Sequence, residues 1–146
     1  MALDTKEITI DDLKFSIQQF PALKAMKIEK KLMEVLIPVM GSLISEDKKK
    51  HIDMAKVSLG IQTGLSSLTE EKFEDVILSS LSSTYAYVNG KPEIINIDIF
   101  NQVFTGKILT VYKLILEVMK VNKFCFFELL RGGNGTNLTA FFSNEK

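Results

Sequence analysis

The stretch Ile108-Leu109-Thr110-Val111-Tyr112-Lys113-Leu114-Ile115-Leu116-Glu117-Val118-Met119-Lys120-Val121-Asn122 decides how this chain folds. Ile108, Val111, Ile115 and Val118 fall on one seam of a 3.6-residue helix, and Leu109, Tyr112, Leu116 and Met119 lie beside it. The pattern extends from Lys107 to Arg131, where Gly132-Gly133 stops it. Such a run is long for a small domain, so a break is expected near Asn122.

Working outward, the same period recurs. Asp98 can cap a short helix through Phe104, with Gly106 as its stop. Thr69 is a good N-cap for a helix whose inner face is Phe73, Val76, Ile77 and Leu81 and which ends near Thr84. Glu70 and Glu71 sit in its first turn, where the helix dipole favours acids. A further helix spans about Lys50 to Ser66, with Ile52, Met54, Ala55, Val57, Leu59, Ile61 and Leu65 as its buried positions. Gly60 and Gly64 lie one turn apart and leave a flat strip, suited to a crowded crossing with another helix of the same domain. Pro21 opens a helix that carries two apolar sets. One is Leu23, Met26, Met33, Ile37, Met40 and Ile44, with Lys30 as a gap; the other is Ile28, Leu32, Val35, Leu36, Val39 and Leu43. Its second half is apolar almost all round, and Pro38 should kink or break it.

Strand signals are fewer. Ile8 and Ile10, then Leu13, Phe15 and Ile17, alternate with polar residues around Asp11-Asp12, which reads as a hairpin. Tyr85-Ala86-Tyr87-Val88 meets Asn89-Gly90, a strong hairpin turn, and Pro92 confines the returning segment to an edge strand or no strand. The expected fold is therefore mainly α: a compact multi-helix domain with one or two small β-hairpins. The domain is expected over residues 1–131, with 132–146 as a flexible C-terminal tail.

Composition excludes more than it assigns. The chain has 146 residues, 46% of them hydrophobic and 25% charged, which are ordinary globular values. Eighteen basic side chains balance eighteen acidic ones, so a general nucleic-acid binder is not expected. The longest apolar stretch, Leu32 to Ile44, is too short to cross a bilayer, and Met1 to Glu7 is polar without the pattern of a signal peptide. No membrane association and a cytoplasmic location are expected. The single cysteine, Cys125, lies in Phe124-Cys125-Phe126-Phe127 and reads as a buried apolar thiol; the single histidine, His51, follows three lysines. They make a poor nucleophile–base pair, and one Cys with one His makes a poor metal site. Gly132-Gly133-Asn134-Gly135-Thr136 follows a helix and lacks the Gly-Lys-Ser/Thr ending of a phosphate loop. No cofactor, metal or enzymatic activity is expected. What remains is spare apolar surface, which suggests a protein partner or self-association.

Two segments resemble the tail assembly chaperones of tailed bacteriophages. One is Phe20-Pro21-Ala22-Leu23-Lys24-Ala25-Met26-Lys27 with Leu32, Val35-Leu36, Pro38 and Gly41, similar to that family's opening helix and its later Pro–Gly interruption. The other is Phe100-Asn101-Gln102-Val103-Phe104-Thr105-Gly106-Lys107, then Leu109, Tyr112-Lys113-Leu114 and Val118, ending in Val121-Asn122-Lys123-Phe124. In the family an aromatic residue tends to follow Asn directly, whereas here Lys123 intervenes. The resemblance implies a small protein of the host bacterial cytoplasm that binds the phage tape measure protein and keeps it soluble during tail assembly. A structural tail-completion or adaptor subunit retained in the virion is the alternative. The expected partner-binding residues are Leu36, Val39, Met40, Leu43 and Ile44, with Phe141 and Phe142 of the tail as a second surface. A homo-oligomer is compatible with the same spare surface.

Overall fold

The computed structural model describes residues 3–37 and 54–125, with side chains in the second segment described from Ser58 onward. In chain order these form β1 (Thr5–Ile10), β2 (Leu13–Gln18), α1 (Ala22–Leu36), α2 (Met54–Leu65), α3 (Glu70–Ser80), β3 (Thr84–Val88), β4 (Lys91–Ile94), α4 (Ile97–Phe104) and α5 (Ile108–Asn122).

Both expected hairpins form, and their turns explain themselves. Asp11 and Asp12 have φ of 50° and 69°, and Asn89 and Gly90 have 54° and 81°, the positive pair that a two-residue type I′ turn requires. The mainly α expectation is nevertheless overturned. The two hairpins are halves of one four-stranded antiparallel sheet in the order β1-β2-β3-β4. β2 and β3 pair as Phe15↔Ala86, Ser16↔Tyr85 and Ile17↔Thr84, and Gln18 N–H donates to Ser83 O at 3.0 Å beyond that register. The fold is α+β. The reason lies in β2: Phe15 and Ile17 face one way, so a strand taken for half of an isolated hairpin has a face that must be buried.

Among the described residues, one face of the sheet is covered and the other is open. Ile10, Phe15, Ile17, Thr84 and Ala86 are buried beneath helices, while Glu7, Thr9 and Lys14 point outward. α5 lies between the sheet and the remaining helices, touching β1 and β2 on one side and α2 and α3 on the other. Its burial follows from that position: Val111, Tyr112, Leu114, Ile115, Leu116, Val118 and Met119 are all in the core. Ile108 and Leu109, expected on the same seams, are more than half exposed, because they precede the turn of α5 that first meets the sheet. α4 closes one end, its Phe104 ring stacked on Phe15 with centroids 5.8 Å apart.

Local capping follows the sequence with small shifts. Thr69 accepts from Lys72 N–H at 3.3 Å, as an N-cap should. α3 ends at Ser80 rather than near Thr84, since Thr84 already belongs to β3. α4 is capped by Asn96, which accepts from Ile99 N–H at 3.0 Å, with Asp98 inside the first turn. α5 ends at Asn122, where Lys123 takes a left-handed conformation (φ 53°, ψ 47°). The helix is thus shorter than the sequence pattern, and the break falls at the expected residue.

Three long-range ties hold the layers in register. Asp11 in the first turn accepts from Thr110 Oγ1 at 2.7 Å and from Lys113 Nζ at 3.1 Å on α5. Asn122 accepts from Phe20 N–H at 2.9 Å and donates to Val118 O at 2.9 Å. Gln19 donates to Val121 O at 2.9 Å and accepts from Asp4 N–H at 3.0 Å. The C-terminal end of α5 is therefore fastened to the β2–α1 connection. The crowded crossing expected at Gly64 is present: a Cβ placed there would meet Val35 O at 2.3 Å, so α2 and α1 approach backbone to backbone.

Candidate functional site

α1 is the element with more apolar surface than the core uses. Its inner stripe, Ile28, Leu32, Val35 and Leu36, is buried against α2 and α3. Leu23 and Met26 lie on a different face and are 65% and 66% exposed; Ile37, at the helix end, is 52% exposed. Met33 on the same side is partly buried. Between them stands Lys30, whose ammonium meets Glu34 at 2.8 Å in an exposed pair. That contact holds the Glu34 carboxyl below its ordinary range and raises Lys30.

The flank of α1 beside α3 has different chemistry. Lys24, Lys27 and Lys31 border an open groove of about 450 Å³ whose apolar lining includes Ile28 and Leu78. Lys31 donates to Asp75 at 2.8 Å and to Ser79 Oγ at 3.2 Å, which depresses the Asp75 carboxyl and braces α1 against α3. The Lys24 ammonium lies 5.4 Å from the Phe20 ring centroid. On the open face of the sheet, Tyr87 donates to Glu7 at 2.9 Å and Lys14 sits 4.6 Å above the Tyr87 ring. The Tyr87 hydroxyl is the main cause of the lowered Glu7 carboxyl, with Lys14 second.

The expected contact residues divide unevenly. Leu36 has no accessible surface and belongs to the core. Val39, Met40, Leu43, Ile44, Phe141 and Phe142 lie outside the described residues, as do His51 and the expected tail boundary at Arg131 and Gly132. Leu59, expected to be buried, is 60% exposed on α2, while Ile61 and Leu65 of the same helix are fully covered. Cys125, expected to be a buried thiol, is exposed; the burial passes to its neighbour Phe124. The outward residues Leu23 and Met26 were not among the expected contacts, although their spacing with Met33 and Ile37 was readable.

Among the described residues no group of three or more His, Cys, Asp or Glu could hold a metal, and no buried polar side-chain atom lacks a hydrogen-bond partner. No described helix is long and apolar enough to cross a membrane. The arrangement offers contact surface: an apolar ridge on α1 with a charged break, and a lysine-bordered groove along its side.

No curated protein and no solved structure matches the chain. A family model described as phage tail assembly chaperone protein, TAC, matches residues 11–135, from the first hairpin turn past the end of α5. That match spans most of the 146 residues, and the chain belongs to the phage tail assembly chaperone family.

Proposed function

We propose that this chaperone binds the tape measure protein of its phage in the host bacterial cytoplasm and keeps it soluble until tail subunits assemble around it. The observation that carries the reading is the second apolar face of α1, where Leu23 and Met26 are about two-thirds exposed while the opposite stripe fills the core. An exposed ridge of large aliphatic side chains on a family of assembly chaperones suits an apolar helical client. Each such side chain fully buried by a client contributes roughly 1.5–3 kcal/mol, less the cost of ordering both surfaces. Met40 and Ile44 continue the outward set in sequence, and Val39, Leu43, Phe141 and Phe142 are further proposed contacts. The role is one of binding, without catalysis, cofactor, nucleic acid or membrane.

Co-expression with the tape measure protein tests this. The client should remain in the soluble fraction and co-purify only when the chaperone is present. A client that precipitates equally with and without it refutes the proposal. Mass spectrometry of purified particles should find the protein absent, and stoichiometric retention in the virion would instead support a tail-completion or adaptor subunit.

A further inference from the structure

The groove between α1 and α3 combines two chemistries that one occupant must answer. Its lining is apolar, with Ile28 and Leu78, and Lys24, Lys27 and Lys31 stand along its α1 bank. Lys31 is neutralised by Asp75 at 2.8 Å. Among the described residues, Lys24 and Lys27 have no carboxylate partner. An apolar segment carrying an acid therefore suits the groove, and a basic one does not.

The chain itself delivers such a segment beside the groove. The last turn of α5 is fastened to the start of α1: Phe20 N–H donates to Asn122, and Gln19 donates to Val121 O, both at 2.9 Å. Lys24, at one end of the groove, holds its ammonium 5.4 Å from the Phe20 ring centroid. Lys123 turns the chain off the helix in a left-handed conformation, and Phe124 is buried there. The residues after Cys125 are Phe126-Phe127-Glu128-Leu129-Leu130, which lie outside the described residues. Large apolar side chains flank a single acid, a composition that calls for cover. Such a segment, extended, spans about 17 Å, and the helix from Lys24 to Lys31 spans about 10 Å, so the reach is sufficient. The family match runs to residue 135 and so includes this segment.

We propose that residues 126–130 fill the groove between α1 and α3, with Glu128 against the ammoniums of Lys24 and Lys27. On the chaperone reading, the groove is then filled from within, and Leu23 and Met26 on the next face of α1 remain for the client.

Carbodiimide coupling of the full-length protein tests this, because it joins a carboxylate to an amine where the two meet. The Lys31–Asp75 pair is the internal control. Peptide mapping by mass spectrometry should find Glu128 joined to Lys24 or Lys27 in a yield comparable with the control. Glu128→Gln should abolish that product, as should Lys24→Gln/Lys27→Gln, and both variants should keep the control product, since Lys24 and Lys27 are exposed. Phe126→Ser/Phe127→Ser should lower the Glu128 yield several-fold, because apolar contacts hold the acid in place; an unchanged yield overturns the proposal. The control product without any Glu128 product overturns it, and so does Glu128 joined to lysines elsewhere. In a mixture of heavy-isotope-labelled and unlabelled protein, a Glu128 product that joins a heavy chain to a light one makes a second copy the occupant and overturns it. A Glu128 product that disappears when the tape measure protein is bound makes the groove a client site and overturns it too. A protein that gives the Glu128 product but fails to hold that client refutes the chaperone reading alone and supports the filled groove.

Discussion

Gly64→Ala should destabilise this protein, although the same exchange in an ordinary helix interior is stabilising. Intrinsic propensity favours Ala over Gly by about 0.8–1 kcal/mol. Here the new methyl would lie 2.3 Å from Val35 O, 2.6 Å from Val35 Cγ1 and 3.0 Å from Val35 C. The nearest of these atoms is backbone, so no rotamer change relieves it. Restoring ordinary contact from 2.3 Å requires α1 and α2 to separate locally by about 1 Å. That loosens the packing around Leu32, Leu36, Ile61 and Leu65, all fully buried. A backbone clash that no rotamer relieves belongs at the upper end of the cost of overpacking, about 2–3 kcal/mol, which leaves a net loss of about 1–2 kcal/mol after the propensity gain. In a chain this size the melting temperature should fall by about 2–8 °C. Thermal unfolding followed by circular dichroism at 222 nm measures it. Adding Val35→Ala removes the Cγ1 clash but not the carbonyl one, so a double-mutant cycle should show partial, favourable coupling. A Gly64→Ala protein that melts at or above the wild-type temperature refutes the close crossing, because propensity alone would then account for the result.

Asn122→Ala leaves Phe20 N–H without its acceptor and should cost about 1–3 kcal/mol in urea unfolding, with the denaturant slope unchanged. Asp11 is held below its ordinary 3.8, first by the Thr110 hydroxyl and then by Lys113, so its contribution is present above that pH and is lost as pH falls through the lower folded value. Urea midpoints taken between about pH 5 and about pH 2.5 should therefore decline, and Asp11→Asn should flatten the decline; an identical acid profile in the variant refutes this role. Cys125 should react with Ellman's reagent in the folded protein as fast as in urea, to within about a few-fold, because the side chain is exposed; full protection until unfolding would contradict that placement.

Local features were legible and distant pairings were not. Asn89-Gly90 and Asp11-Asp12 announce their turns, since two consecutive positive φ values suit few residues. Thr69 and Asn122 mark a helix start and a helix end through chemistry confined to a few neighbours. The β2–β3 pairing carries no such signal: it joins residues 15–17 to residues 84–86 with α1, α2 and α3 between them in the chain, and nothing local to either hairpin requires it. Pro92 pointed correctly to an edge, for among the described residues β4 pairs only with β3. Leu59 and Cys125 were misjudged because apolar neighbours in sequence say little about which way one side chain faces. Asn96 was overlooked as a cap because Asp98 offered a similar group two residues later. On α1 both apolar sets were visible, but only the packing of α2 and α3 distinguishes the set that fills the core from the set left outside.

The fastening between α5 and the β2–α1 connection bears on when the protein can form. Phe20 N–H and Gln19 find their partners at residues 121 and 122, a separation of 102 residues. A ribosome synthesises α1 early, yet the helix that floors the sheet arrives only with residues 108–122. Until then Phe15 and Ile17 have no cover from α5, and the surfaces of α2 and α3 that pack on α5 stay open. Loop closure of this length precedes the contacts that reward it, which slows folding relative to a bundle of local contacts. A nascent chain halted before Ile108 would therefore be a client for other chaperones before becoming one itself.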